Sequence, residues 1–490
     1  MKDVHARASK GIKLLLGRQV LLQIVTFAGS VILARVLNPA QFGLFAIAMF
    51  LVGTFSLLGD FGLAASLIQR KEDLSEQDLR VGFTLQQALT SAIVAILLIA
   101  APFLARLYPK APPETVWLVR MLAFNLYLTS WRSMSALQLE RQMRYDRLAR
   151  IEVAEALLYQ VIVVGLALTG HGIWSLVWAT LAQGCVGTLL VYLAAPWRVR
   201  LSYDPNIARS ILRFGVPFQL NVLINSVGNW VTPTLVAGLI GPQAVGYLTW
   251  ASSNGRKPLV LVDSAMRIAF PHFARIQEDR AEVERTATRY LTCLLLPAGL
   301  WFAILVTAGP SLVQWVYTDK WVPAVPALVL FAFALSFDVI GWVGAVMSNG
   351  LGLSQFVTRV VLAISVVKIV LSIPLMFFLG YTGVAVGYLV SALLMPYLLN
   401  GLGPGAAWRL LRKQGWVLLP VLAGVLTGGL LAFLPLPLIG SAVLTVVGVV
   451  SVYAGVTWLR GPVWLREAVG HQIPRRRTPT AVAPTTTTLG

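Results

Sequence analysis

The segment VLNPAQFGLFAIA (residues 36–48) recurs later in the chain as LIGPQAVGYLTWA (residues 239–251). Pro39 aligns with Pro242, Gly43 with Gly246 and, at the same spacing, Asp60 with Asp263. An even number of apolar segments separates the two copies, so both would cross a membrane in the same direction. Because Pro and Gly are common in turns, the alternative interpretation is that the two segments are similar by chance. The repeat predicts two similar halves related by a pseudo-twofold axis along the membrane normal.

The composition indicates a membrane protein. The 490 residues are 57% hydrophobic and only 12% charged, and the mean hydropathy is +0.76. Soluble domains carry about 25% charged residues. Apolar stretches of about 20 residues, the length that spans a bilayer, occur about fourteen times along the chain. We therefore expect an all-α polytopic membrane protein with about fourteen transmembrane helices.

The repeat and the apolar stretches together predict the domain organisation. Residues 1–200 and 201–400 would each form a bundle of about six helices. Two additional transmembrane helices are expected within residues 401–460. Residues 461–490 would form a basic, partly disordered cytoplasmic tail, because the segment ends in the polar sequence TPTAVAPTTTTLG.

The basic residues indicate the orientation. The net charge is +19, and most Lys and Arg residues fall on one side of the predicted spans, for example in RYDRLAR (residues 144–150) and RIQEDRAEVERTATR (residues 275–289). The basic side of a membrane protein is cytoplasmic, which places both termini in the cytoplasm. This asymmetry explains the high charge without a nucleic-acid partner.

Three segments resemble a known family. They are GDFGLAASLIQRKEDLSEQDLRVGFTLQ (residues 59–86), LQLERQMRYDRLARIEV (residues 137–153) and GIWSLVWATLAQ (residues 172–183). Each is similar to the corresponding helix or loop of Wzx-type flippases of lipopolysaccharide and exopolysaccharide units. These flippases belong to the multidrug/oligosaccharidyl-lipid/polysaccharide (MOP) exporter superfamily. The resemblance covers most of the chain up to about residue 400.

The resemblance implies a transporter and not an enzyme. Such proteins move undecaprenyl-diphosphate-linked oligosaccharides from the inner to the outer leaflet of the bacterial plasma membrane, in the biosynthesis of surface or extracellular polysaccharide. The implied partners are the lipid-linked oligosaccharide, membrane lipids and the glycosyltransferases, polymerase and export machinery of the same pathway, with the protein itself a monomer. No cofactor or metal is expected.

Cations inside the membrane are the candidate binding residues. Arg256, Lys257 and Lys368 lie near the middle of predicted spans, where a charge costs about 2.5–3.5 kcal/mol. The sequence SNG before Arg256 and the proline at 258 predict an interrupted helix there. A lipid diphosphate needs a wet, cationic cavity to cross hydrocarbon. We therefore predict a cationic cavity lined by Arg256, Lys257, Lys368, Arg132 and Arg18.

These cations have a competing interpretation as structural ion pairs. Asp263 lies on the same helical face as Arg256 and Arg267, and pairing of Arg267 with Asp263 is expected. Asp338 is another acid at comparable depth, whereas Asp60 and Asp263 at helix ends are expected to hold loops or caps rather than an ion.

Polar and aromatic residues extend these expectations. Asn221, Asn225 and Asn229 follow a four-residue spacing on one helix face, which suits either sugar hydroxyls or hydrogen bonds between helices. Trp250 and Trp321 lie near the ends of predicted helices and are interpreted as interfacial anchors.

Two other classes of protein are weighed. An ion-coupled drug exporter of the same superfamily is expected to have an acidic or apolar cavity, so the sign of the cavity charge separates it from a flippase. A membrane-embedded glycan polymerase or transferase would need catalytic groups on a large outer loop, yet the predicted outer loops are short. The chain also has no GxxxxGK[ST] phosphate-binding motif for ATP.

The charge asymmetry generates a topological prediction. Reporter proteins fused after Arg150, Arg213 and Arg289 should report a cytoplasmic location, and a reporter fused after Lys110 should report an external one, as measured by paired phosphatase and fluorescent-protein activities. An inverted result at any of these positions would contradict the predicted helix count.

Overall fold

The described part of the chain is helical. The computed structural model describes residues 22–60, 62–69, 74–106, 108, 110 and 112–465, and these residues contain no β-strand. Ten of the described helical segments are long and apolar enough to cross a membrane. The predicted all-α polytopic fold is thus confirmed, while the count of about fourteen spans and the two-bundle arrangement stay predictions.

The N-terminal half of the chain contains eight of the helices described below. Some neighbouring helices, such as the fifth and sixth, are separated by only a few residues. Two such helices together can correspond to one span predicted from the sequence. In chain order they are α1 (Leu22–Val36), α2 (Pro39–Asp60), α3 (Leu63–Gln69), α4 (Glu76–Arg106), α5 (Thr115–Ser130), α6 (Ser133–Arg141), α7 (Tyr145–Leu168) and α8 (Trp174–Ala194).

The C-terminal half begins after an extended segment and ends with two further spans. Short 3₁₀ turns at Asp319–Ala324, Met395–Leu402 and Gly415–Val417 interrupt it. Its helices are α9 (Pro205–Leu239), α10 (Pro242–Gly255), α11 (Leu259–Arg275), α12 (Arg280–Tyr317), α13 (Val325–Gly350), α14 (Ser354–Leu379), α15 (Tyr381–Ala392), α16 (Ala406–Gln414), α17 (Leu418–Ala432) and α18 (Leu438–Arg460).

The local sequence explains where the longest helices begin. The Asp204 carboxylate accepts hydrogen bonds from the backbone N–H groups of Asn206 and Ile207 at the start of α9, and Pro205 occupies the first helical position. Asp279 caps α12 in the same way, through the N–H groups of Ala281 and Glu282. These caps satisfy helix N–H groups that have no intrahelical partner.

The two copies of the sequence repeat contact each other. A Cβ added to Gly43 would lie 1.7 Å from the carbonyl oxygen of Pro242, and a Cβ added to Gly246 would lie 1.9 Å from the carbonyl oxygen of Pro39. Only a glycine allows two helix backbones to approach so closely. We call the end of the molecule where α2 meets α10 the Pro39 end. The same contact therefore occurs twice, since a glycine of each half packs against the proline carbonyl oxygen of the other half. A pseudo-twofold axis between α2 and α10 would generate such a reciprocal contact.

Two lysines at the Pro39 end make a second reciprocal contact. Lys110, in the N-terminal half, donates to the carbonyl oxygens of Leu239 (3.3 Å) and Ile240 (3.2 Å), where α9 ends. Lys320, in the C-terminal half, donates to the carbonyl oxygen of Arg35 (2.6 Å), where α1 ends. Each half thus supplies a cation to the carbonyl end of a helix in the other half, the position where the helix dipole favours positive charge.

The tryptophans at this end differ from their predicted role. Trp321 is completely buried and Trp250 nearly so, and the two rings stack with centroids 5.0 Å apart. Trp321 Nε1 donates to the carbonyl oxygen of Ala34 on α1, and Phe42 of α2 meets the Trp321 ring edge-on. The interpretation of Trp250 and Trp321 as interfacial anchors is therefore wrong, because both rings fill the junction between the halves.

The close backbone approach generates a stability prediction. Gly43→Ala and Gly246→Ala should each lower the free energy of unfolding by about 1–3 kcal/mol, because the new methyl group forces α2 and α10 apart. Gly53→Ala is the matched control on the same helix, since a Cβ there would meet no atom within 4 Å. Thermal unfolding in detergent measures the effect, and equal melting temperatures for all three variants would contradict the packing.

Candidate functional site

The predicted helix interruption is confirmed. α10 ends at Gly255 and α11 begins at Leu259, because Pro258 has no N–H group to continue the ladder. A Cβ at Gly255 would lie 2.8 Å from the carbonyl oxygen of Leu328, so the break lies directly against α13. Arg256 and Lys257 therefore project from a turn beside α13, and not from a continuous helix.

Arg256 forms an ion pair with Asp338 of α13. Arg256 Nε donates to Asp338 Oδ2 at 3.1 Å, and the side chains are 28% and 2% exposed. The Tyr388 hydroxyl of α15 donates to the same carboxylate, at 2.9 Å from Oδ2 and 3.1 Å from Oδ1. The Arg256 guanidinium lies 5.2 Å from the centroid of the Tyr388 ring. The nearly buried carboxylate is thus paired and hydrogen-bonded, as a charge in this position must be.

Only one edge of the guanidinium is occupied by this pair. Among the described residues, no hydrogen bond from the two terminal nitrogens of Arg256 is formed, and Nε alone donates to the carboxylate. Those nitrogens form the fork that binds carboxylate or phosphate in a bidentate manner. Arg256 is therefore paired with Asp338 through Nε, and its place in a cationic cavity stays a prediction.

Lys368 of α14 lies near this pair. It interacts electrostatically with both Arg256 and Asp338, and its side chain is half-buried. No acceptor within hydrogen-bonding distance of its Nζ occurs among the described residues. Four elements, the α10–α11 turn, α13, α14 and α15, therefore bring two cations and one acid together.

Lys257 makes a different contact from the predicted one. Its Nζ lies 3.9 Å from the centroid of the Phe27 ring on α1. A cation over an aromatic face is stabilised by about 0.5–2 kcal/mol. Lys257 thus reaches from the C-terminal half to the N-terminal half and does not join the Arg256–Asp338 pair.

Arg132 also has a partner that the sequence analysis missed. Its Nη1 donates to Glu155 Oε1 at 2.7 Å, with the side chains 35% and 9% exposed. The glycine at 187 makes room for the pair, because a Cβ there would lie 2.1 Å from Glu155 Oε1. Both residues belong to the N-terminal half. The structure therefore gives Arg132 an acidic partner on α7, and its predicted place in the cationic cavity stays a prediction.

The pairing expected between Arg267 and Asp263 is not formed. Arg267 is exposed, and among the described residues it has no carboxylate within salt-bridge distance. Asp263 instead interacts at longer range with Arg256. Alignment on one helical face was therefore not enough, because the side chains of α11 turn to different surroundings.

Several predicted site residues fall outside what the structure describes. Arg18 lies outside the described residues. The backbone of α9 contains Asn221, Asn225 and Asn229, and α2 ends at Asp60, but their side chains are outside the described set. Their predicted roles stay predictions.

The sequence analysis also missed Tyr388. A tyrosine in an apolar span carries no strong signal, since most such residues pack in the core or anchor at the interface. Glu155 had a usable signal: it is an acid within an apolar segment, and acids at such positions are paired or functional.

Metal binding has no support in the described part of the chain, where no group of three or more metal-ligating side chains occurs.

The assembled group is suited to bind an anion. The Arg256 fork is open and partly exposed, and Lys368 adds a second, flexible charge, whereas the carboxylate of Asp338 is 2% exposed. An incoming ligand therefore meets cationic donors first. This arrangement matches a phosphate-bearing ligand better than a cation.

A solved transporter shares this fold. The lipid II flippase MurJ in its inward closed conformation superposes with a TM-score of 0.73, covering 92% of this chain and 100% of that chain at 14% identity. The chain therefore has the fold of a multi-pass membrane protein.

Sequence comparison then gives the family. The family model described as polysaccharide biosynthesis protein matches residues 32–326, more than half of the chain, and the chain belongs to this family. The succinoglycan biosynthesis transport protein ExoT of Rhizobium meliloti (strain 1021) is 25% identical over 308 residues, 62% of this chain and 61% of ExoT. The lipopolysaccharide biosynthesis protein WzxC of Escherichia coli (strain K12) is 22% identical over 309 residues, 61% of each chain.

These matches confirm the resemblance stated from the sequence. The chain is related to WzxC and to ExoT, and ExoT is named a transport protein. It also shares its fold with a MATE family transporter of the MOP superfamily, at a TM-score of 0.60 and 16% identity. The matched region spans less than two thirds of ExoT and WzxC.

The Arg132–Glu155 pair generates an asymmetric stability prediction. Arg132→Met should cost about 3 kcal/mol, because it leaves the carboxylate of Glu155 buried and unpaired. Glu155→Leu should cost less, because the guanidinium of Arg132 is one-third exposed and can reach water. The double variant should recover most of the loss. Thermal unfolding of the four proteins tests the pair, and additive losses would show that the two side chains do not interact.

Proposed function

We propose that the protein flips undecaprenyl-diphosphate-linked oligosaccharide units from the inner to the outer leaflet of the bacterial plasma membrane. This activity would serve the biosynthesis of surface or extracellular polysaccharide, with both termini in the cytoplasm. The observation that carries the proposal is the open guanidinium fork of Arg256 beside Lys368, inside the spans of a polysaccharide biosynthesis family member.

The chemistry of the cargo explains why cations stand at this depth. A diphosphate that links a lipid to a sugar carries negative charge and strong acceptor oxygens. It crosses hydrocarbon only if donors inside the protein replace its hydration. The Arg256 fork can bind two phosphate oxygens at once, and Lys368 can neutralise charge without demanding a fixed geometry. The lipid tail stays in the surrounding bilayer.

The contacts at the Pro39 end support an alternating-access mechanism. Packing of α2 on α10, two lysine contacts to helix ends and the buried Trp321 join the two halves at this end. Cargo could leave towards this side only after the halves separate there. Rocking of the halves about the Arg256 region would expose it to each side in turn.

The alternative of a drug-type exporter is less well supported. A cationic drug would need an accessible carboxylate, yet the Asp338 side chain is 2% exposed and already accepts from Arg256 and Tyr388. An exposed guanidinium would repel such a drug. A polymerase or glycosyltransferase activity has no support from the family relatives, one of which is named a transport protein.

The partners follow from the same cargo. The substrate is a lipid-linked oligosaccharide delivered by glycosyltransferases on the cytoplasmic side and consumed by a polymerase or export machinery on the other. The protein would act as a monomer in contact with membrane lipids. No nucleic acid and no cofactor take part.

Lys368 provides the sharpest test, because it has no acceptor partner among the described residues. In proteoliposomes that contain a fluorescent undecaprenyl-diphosphate oligosaccharide, Lys368→Arg should retain substantial flipping. Lys368→Ala should reduce the rate at least tenfold, and Lys368→Glu should abolish flipping, since it repels the diphosphate. The rate is measured by quenching of the label that reaches the outer leaflet.

Lys413 offers a matched control. It is an exposed lysine that pairs with Glu284, away from the Arg256 group, so Lys413→Ala should flip at the normal rate. Normal flipping by Lys368→Glu would refute the site. Arg256→Ala alone is less informative than these variants, because it also leaves the buried carboxylate of Asp338 without its cation.

A further inference from the structure

We infer that Asp338 is a resident anion that competes with the cargo diphosphate for Arg256 and Lys368, and thereby keeps the site weak enough to release what it binds. This inference rests on the proposed diphosphate site. It assigns to Asp338 a positioning and affinity-setting role, in addition to pairing.

The geometry shows how the carboxylate can compete without blocking the site. Arg256 donates to Asp338 Oδ2 through Nε, at 3.1 Å, and its two terminal nitrogens form no hydrogen bond with a described residue. An incoming phosphate can therefore bind the fork while Asp338 still holds Nε. The two anions then share one cation and repel each other across it.

Tyr388 keeps the carboxylate in place during this competition. Its hydroxyl donates to Asp338 at 2.9 and 3.1 Å, and it comes from α15, whereas Asp338 belongs to α13. The carboxylate is thus fixed by an element that carries neither of the two cations. Because Asp338 is nearly buried, it cannot swing into water when the cargo arrives.

The charge balance gives the size of the effect. Arg256 and Lys368 contribute two positive charges, and the Asp338 carboxylate paired with Arg256 offsets one of them. At an effective dielectric constant of about 20, a unit charge about 10 Å away changes anion affinity roughly tenfold. A site without Asp338 would hold the diphosphate more tightly and release it more slowly, which a carrier cannot tolerate.

The test measures affinity and turnover separately in the full-length protein. Asp338→Asn keeps the volume and an acceptor for Arg256 but removes the charge, and Asp338→Ser removes it with less volume. Binding of farnesyl diphosphate, measured by calorimetry in detergent, should tighten about tenfold in either folded variant. Flipping in proteoliposomes should fall by a similar factor, because release becomes slow. Asp338→Glu should restore both values towards normal.

The probes and controls separate charge from other effects. Farnesyl monophosphate should gain less affinity than farnesyl diphosphate, and uncharged farnesol should gain none. Glu284→Gln, which removes an acid paired with the exposed Lys413, should leave farnesyl diphosphate affinity unchanged. A purely structural role for Asp338 predicts weaker binding and a lower melting temperature instead.

The outcomes distinguish this inference from the proposed function. Unchanged or weaker diphosphate binding in a folded Asp338→Asn or Asp338→Ser variant would overturn the inference, even if the normal protein flips its cargo. If those variants bind more tightly but the normal protein flips no lipid-linked oligosaccharide, the inference holds and the proposed function fails.

Discussion

A charge placed inside a membrane protein must find a partner, and the C-terminal half is arranged around one such requirement. The Asp338 carboxylate on α13 accepts from Arg256 at the α10–α11 turn and from Tyr388 on α15. Three separate elements therefore converge on one nearly buried carboxylate. Removing either of these two partners would leave a polar group less well satisfied in apolar surroundings, where an unpaired charge costs several kcal/mol. The break in the helix at Pro258 belongs to the same arrangement, because it frees Arg256 to reach α13.

The sequence predicted which residues belong to this site better than it predicted which of them pair with one another. The SNG–Pro258 pattern located the helix break, and the depth of Arg256 and Lys368 within apolar stretches marked both as functional candidates. Which acid would pair with which cation was not predictable, because it depends on side chains from helices far apart in sequence. Helical spacing favoured Asp263 as the partner of Arg267, with Asp338 as another possible partner for the cations, and the pair that forms joins Arg256 and Asp338.

The repeat at residues 36–48 and 239–251 carried more structural information than its few matched positions suggested. Gly43 and Gly246 align in sequence, and each accommodates the backbone of the proline that opens the partner helix. The lysine contacts lie outside the aligned segments and were not predictable from them. Lysine is usually found on the protein surface, so nothing in the sequence indicated a contact for Lys110 or Lys320. Only the folded chain shows that both donate to carbonyl oxygens at helix ends. The interpretation of Trp321 as an interfacial anchor was wrong for a related reason. A tryptophan near a helix end can lie either at the membrane interface or at the junction of the two halves, and the sequence does not distinguish these two positions.

The contacts that join the halves at the Pro39 end have one further property. Among the described residues, they consist of glycine against backbone, lysine and arginine side chains donating to carbonyl oxygens, and aromatic packing. None of these contacts uses a carboxylate or a histidine, the side chains that most often act as acid-sensitive switches in proteins. Closure at this end is therefore indifferent to the acidity of the compartment it faces. Only separation of the two halves breaks this set of contacts.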